Sequence, residues 1–112
     1  MMAVPVCRLD DLQVKDARGI LVDAPDGAPR ALVVVRQQDR VWVYLNRCPH
    51  TGVNLEWQPD RFFDLEGRFL QCATHGALFR PEDGYCVRGP CAGDSLESLP
   101  VQVENGQVLV SL

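Results

Sequence analysis

This 112-residue chain contains only two histidines, and no stretch of it approaches the roughly 18 apolar residues that a membrane-spanning helix needs. Its start, Met1-Met2-Ala3-Val4-Pro5-Val6-Cys7-Arg8, lacks the basic stretch followed by an apolar run that marks an export signal. Both absences set the expectation of a cytoplasmic protein with no membrane partner. Positive charge is not in excess either: 11 Lys and Arg stand against 15 Asp and Glu, for a formal net charge of −4. That balance disfavours nucleic acid as a ligand and suits docking on a basic patch of another protein. A long helical period is also missing. The five cysteines are odd in number and come without an export signal, which argues against a disulfide framework and for metal chemistry. Length and an ordinary composition, 46% hydrophobic and 23% charged, bound the rest. They fit one folded domain that buries roughly two-thirds of its unfolded surface.

What is present is the pattern of strands. Ala31-Leu32-Val33-Val34-Val35-Arg36 is rich in β-branched residues, and Arg40-Val41-Trp42-Val43-Tyr44-Leu45 follows after Gln37-Gln38-Asp39, so the two read as a hairpin. Residues 62–65 and 68–71 flank Glu66-Gly67 as a second hairpin. Residues 101–104 and 107–110 alternate around Asn105-Gly106, a strong signal for a tight turn. Residues 19–22 form a further strand, and Asp10-Asp11-Leu12-Gln13 opens one short turn. Proline and glycine punctuate the chain throughout. The fold class is all-β.

Against this background both histidines stand in matching contexts: Cys48-Pro49-His50-Thr51-Gly52 directly after strand 40–45, and Cys72-Ala73-Thr74-His75-Gly76 directly after the strand ending at Gln71. Each segment offers one thiolate and one imidazole from a loop. The 21 residues from 51 to 71 leave room for a hairpin that folds the second loop back beside the first. Two loops so placed pinch a metal group between them. The alternating order points to a two-iron, two-sulfur cluster in which Cys48 and Cys72 hold one iron and His50 and His75 the other. A structural zinc site with two cysteines and two histidines is the competing reading. Zinc sites usually pair like with like, and one intervening residue is an awkward spacing for two ligands on one small ion.

These two segments, with Ala77-Leu78-Phe79 after the second and Gly84-Tyr85-Cys86-Val87-Arg88-Gly89-Pro90 beyond, resemble the Rieske-type [2Fe-2S] ferredoxin family, and the likeness runs over about residues 30 to 112. The resemblance implies an antiparallel β-sandwich base, about residues 1–45 and 92–112, with a small cluster-binding subdomain inserted at about 46–91. It implies one [2Fe-2S] cluster on Cys48, His50, Cys72 and His75, and a third loop containing Gly89-Pro90 that covers it. The segment between the ligand pairs is longer than is familiar in the family, so the hairpin at 61–70 is expected to be extended. High-potential members carry two further cysteines in a disulfide between the loops, where this chain has Val53 and Thr74. They also carry a serine and a tyrosine that hydrogen-bond the cluster, where this chain has Ala77 and Phe79.

By resemblance, then, the chain is a soluble one-electron carrier that passes electrons from a reductase to an oxygenase-type terminal enzyme, without a catalytic site of its own. The small subunit of an assimilatory nitrite reductase is the alternative, and a structural zinc module a third reading. An oxygenase catalytic subunit is excluded by length, since both histidines are already used. Cys7, Cys86 and Cys91 read as small buried hydrophobes. Trp42, Tyr44 and Trp57 read as packing groups, Glu82-Asp83-Gly84 as a turn, and Pro49, Leu78 and Pro90 as the apolar rim of a docking surface.

Overall fold

Five successive apolar residues, 31–35, leave a strand with no polar side, so both of its faces must be covered. The computed structural model shows how. It describes residues 3–13, 15–23, 27–47, 63, 69–72, 76–89 and 92–111. In chain order these form β1 (Ala3–Arg8), a 3-10 turn (Leu9–Asp11), β2 (Lys15–Asp23), β3 (Pro29–Gln37), β4 (Arg40–Leu45), β5 (Leu70–Gln71), β6 (Leu78–Phe79), β7 (Cys86–Arg88), β8 (Ser98–Leu99), β9 (Val101–Glu104) and β10 (Gln107–Ser111). They pair into three antiparallel sheets, ordered β1-β10-β9, β2-β3-β4-β8 and β5-β6-β7. None of the described residues forms a helix long and apolar enough to cross a membrane.

The sheet β2-β3-β4-β8 is the middle layer. Leu32, Val33, Val34 and Val35 are all fully buried, but alternate residues enter different cores, as the two-residue period of a strand requires. Leu32 and Val34 pack with Val43, Val108, Val110 and Leu12 beneath β1-β10-β9. Val33 and Val35 pack on the opposite face with Tyr44, Leu70, Phe79, Cys86 and Leu96 beneath β5-β6-β7. The continuous apolar run is therefore the signature of a strand sandwiched from both sides.

Two of the three expected hairpins form around turns that the structure describes. β3 and β4 close with Gln37 opposite Arg40, and Gln38 takes a positive φ of 56° in the two-residue loop. Arg36 braces that corner: its Nε donates to the Gln38 carbonyl at 2.7 Å, and its Nη1 donates to the carbonyls of Leu9 and Leu12 at 3.1 and 2.9 Å. β9 and β10 close with Glu104 opposite Gln107 around Asn105-Gly106, both at positive φ, as a type I′ turn demands. Of the hairpin expected at 62–71, the bridge between Phe63 and Leu70 has the register that a Glu66-Gly67 turn requires. Its remaining pairs lie outside the described residues. The strand expected at 19–22 extends over all of β2, and the turn expected near Asp10 is the 3-10 turn, where the Arg8 N–H donates to Asp11 Oδ2 at 3.0 Å.

Candidate metal centre

Cys72 follows β5 directly, so the sheet ladder fixes its backbone. Leu70 pairs with Phe79 and Gln71 with Leu78; the Cys72 N–H then donates to the Ala77 carbonyl at 2.9 Å, and the Gly76 N–H to the Cys72 carbonyl at 3.0 Å. These bonds close a loop of which residues 73–75 lie outside the described set. Cys72 itself is 1% exposed and shares its core with Leu70, Ala77, Phe79 and Cys86. Of the four expected ligands, Cys72 is the one whose position the structure describes; Cys48, His50 and His75 lie outside the described residues. The first pair follows β4 after Asn46 and Arg47, where the Leu45 N–H donates to the Glu97 carbonyl at 2.9 Å and the Asn46 N–H to the Ala31 carbonyl at 2.9 Å. The strand leading into Cys48 is thus held on both sides up to its end.

The segment after β7 comes to the same place. Gly89, at φ +106°, lies so close to Ala77 that a Cβ on it would sit 2.7 Å from the Ala77 Cα and 3.0 Å from its Cβ. Only a glycine allows this approach, since both the φ and the space exclude a side chain. Ala77 is the second residue after His75, so Gly89 rests on the end of the loop that runs from Cys72 to Ala77. Ala77 and Phe79 are both buried and carry no hydroxyl.

The far end of the β6–β7 hairpin is fastened by a residue that sequence reasoning assigned to packing alone. The Tyr44 phenol, fully buried, donates to the Pro81 carbonyl at 2.6 Å. Burial, and next the carboxylates of Asp83 and Glu82, push its pKa well above the usual tyrosine value. The turn at 81–83 is the one read from Glu82-Asp83-Gly84. Asp83 pairs with Arg80 and accepts from the Tyr85 N–H at 3.0 Å; those bonds, the Arg80 one first, hold its carboxyl below the ordinary carboxylate range. No local pattern could have revealed the Tyr44–Pro81 contact, which spans 37 residues.

The remaining cysteines behave as small apolar groups where they are described. Cys86 is buried and its thiol donates to the Arg88 carbonyl at 3.2 Å, while Cys7 is half-buried in β1, its pKa pushed up first by burial and then by Asp11. Trp42 packs at the edge of the core that holds Tyr44, and Leu78 is half-buried. Cys91, Trp57, Pro49, Pro90, Val53 and Thr74 lie outside the described residues.

Among known proteins, the family model described as Rieske [2Fe-2S] domain matches residues 2–103. The chain belongs to the Rieske [2Fe-2S] family. Its cofactor is accordingly one [2Fe-2S] cluster. A buried cysteine anchored at the end of a ladder and bonded through its N–H to Ala77, on which Gly89 is close-packed, fits such a group, and two thiolates with two imidazoles are the donors a Rieske centre uses. The chain is 29% identical, over 96% of its length and 79% of the relative's, to the ferredoxin component of an alkene monooxygenase system from Xanthobacter autotrophicus. It is similar to the solved ferredoxin of carbazole 1,9a-dioxygenase from Nocardioides aromaticivorans IC177, with 26% identity, a TM-score of 0.71 and coverage of 99% and 98% of the two chains. It also shares the fold of the Sphingomonas yanoikuyae B1 ferredoxin, with a TM-score of 0.77 at 21% identity and 99% coverage of both. The all-β, antiparallel Rieske architecture expected from the sequence is the one observed, and the chain is ferredoxin-like.

Proposed function

We propose that this chain is a cytoplasmic one-electron carrier that takes electrons from a reductase and delivers them to the terminal component of an oxygenase, with no catalytic site of its own. The observation that carries this reading is the likeness, over nearly the whole chain, to the ferredoxin component of a monooxygenase system. The ligands are Cys48 and Cys72 on one iron and His50 and His75 on the other. Residues of about 46–91 form the cluster-binding subdomain, and those of about 1–45 and 92–112 the base. When bound, the cluster supplies one-electron redox chemistry, made easier by two neutral imidazoles in place of two thiolates.

The protein's own residues supply placement and insulation. The ladder of β5 and β6 holds Cys72, which is buried in one core with Leu70, Ala77, Phe79 and Cys86. The formal charge of −4 suits a partner whose docking face is basic, and such an encounter weakens with salt. The deciding experiment is electron paramagnetic resonance of the dithionite-reduced protein with metal analysis, followed by reconstitution with a reductase and an oxygenase. Two irons per chain, a signal whose average g lies below that of an all-cysteine cluster, and oxygenase turnover that requires this chain are the expected result. Stoichiometric zinc without a reduced-state signal would overturn the carrier. Stable association with a large nitrite reductase subunit in place of the oxygenase would overturn the assigned partner while keeping the cluster.

A further inference from the structure

Tyr44 occupies a position in the fold that links the two ligand pairs. It stands on β4, four residues before Cys48, on the strand that leads into the first pair. Its side chain points away from β1-β10-β9 into the core beneath β5-β6-β7, and it is the largest fully buried side chain among the described residues. There it meets the β6–β7 turn at two points. The hydroxyl donates to the Pro81 carbonyl at 2.6 Å, and the ring lies under Gly84, where a Cβ would come within 2.9 Å of Cε1 and 3.1 Å of the Leu96 Cβ.

The turn so grasped is stiff. The Arg80 N–H donates to the Tyr85 carbonyl at 2.9 Å and the Gly84 N–H to the Arg80 carbonyl at 2.7 Å, while the Arg80 side chain pairs with Asp83 and lies over the Tyr85 ring at 5.0 Å. Gly84 is tied onward, its carbonyl accepting from the Leu96 N–H at 2.9 Å. The strands of this hairpin are only two and three residues long, so its turn lies close to its opposite end. Its opposite end is the loop from Cys72 to Ala77, which contains His75, with Gly89 seated on Ala77.

We propose that Tyr44 is a positioning residue for the metal centre: from the strand that leads into Cys48 and His50 it clasps the turn of the hairpin whose other end carries Cys72 and His75, and so sets the spacing of the two ligand pairs. The proposal rests on the ligand assignment given above. A phenylalanine would fill the same space, so the hydroxyl contributes the fixed angle of the clasp, and packing alone would leave the hairpin free to rock.

The test compares Tyr44→Phe with wild type and with Val110→Ala, which opens the other core beneath β1-β10-β9 and serves as a control for lost stability. All three are purified with their cluster and studied well below their melting temperatures. Three quantities are read: the rate of iron release to a chelator, the reduced-state resonance spectrum, and amide exchange at Gly84, Cys86 and Leu96. Tyr44→Phe is expected to release iron about three- to tenfold faster, the equivalent of one neutral hydrogen bond, with shifted or broadened g values and faster exchange at those amides. Val110→Ala is expected to melt earlier with release and spectrum unchanged. Gly84→Ala, which pushes on the clasp from the opposite side, is expected to follow Tyr44→Phe. Release and spectrum equal to wild type in Tyr44→Phe would overturn the proposal and reduce Tyr44 to packing. A wild-type protein without a mixed-ligand iron signal would instead overturn the ligand assignment, and the positioning role with it.

Discussion

The contact between Gly89 and Ala77 is the tightest local constraint near the loop from Cys72 to Ala77, and it separates two effects that a glycine substitution usually mixes. Gly89→Ala must adopt φ +106° and place a Cβ 2.7 Å from a backbone Cα, which no side-chain rotation relieves. Gly93 has a similar φ of +98° but opens to empty space. Gly93→Ala therefore carries the backbone strain alone, about 1–2 kcal/mol. Gly89→Ala carries the strain and the clash, and its loss is expected to exceed that of Gly93→Ala by about 1–3 kcal/mol in urea unfolding. Ala77→Gly in the Gly89→Ala background is expected to recover little, because the nearest atom is the Ala77 Cα and not its methyl. Equal losses at positions 89 and 93 would show that the segment after β7 is not pressed on Ala77.

At the scale of elements, β3 decides how the layers hold together. Leu32 points into the core beneath β1-β10-β9, so Leu32→Ala is expected to destabilise by about 2–5 kcal/mol while leaving the reduced-state spectrum of the cluster as it is. Calorimetry and resonance spectra of the same sample check both halves. The strands β3, β4, β9 and β10 were legible in the sequence because their signals are local: a run of β-branched residues, a short polar loop, Asn105-Gly106. The pairing of β1 with β10 was not, since the two strands lie at opposite ends of the chain. Nor were β6, β7 and β8 as paired strands, each two or three residues long, too short to show a period of two and defined only by partners elsewhere. The proposed ligand pairs stand out in the sequence for the opposite reason. Metal chemistry demands fixed residue types at fixed spacing, so Cys72 could be picked out before its ladder was known, whereas the grip of Tyr44 on Pro81 leaves no local trace.

Two properties belong to the molecule as a whole. One is alkaline stability. Burial raises the Tyr44 pKa, so the folded protein keeps this phenol protonated where an unfolded chain ionises it, near the usual value of 10.0. The contribution is complete below that pH and is lost as pH rises above it, with a slope that approaches about 1.4 kcal/mol per pH unit for one group. Unfolding free energy is expected to fall above pH 10 in wild type, and Tyr44→Phe to fall less steeply there. Identical slopes would mean that the phenol ionises in the folded state too. The other property is the reduction potential. Reduction adds negative charge to a chain whose formal charge is already −4, and Ala77 and Phe79 offer no hydroxyl to the added electron. Both effects oppose reduction. The midpoint is therefore expected in the lower part of the Rieske span of roughly −150 to +300 mV. Added salt screens the protein's own charge, so the midpoint is expected to rise with ionic strength. A redox titration at low and high salt tests both at once. A midpoint near the top of the span would show that other donors to the cluster outweigh the missing hydroxyls. A midpoint independent of salt would show that the acidic groups lie too far from the cluster to act on it.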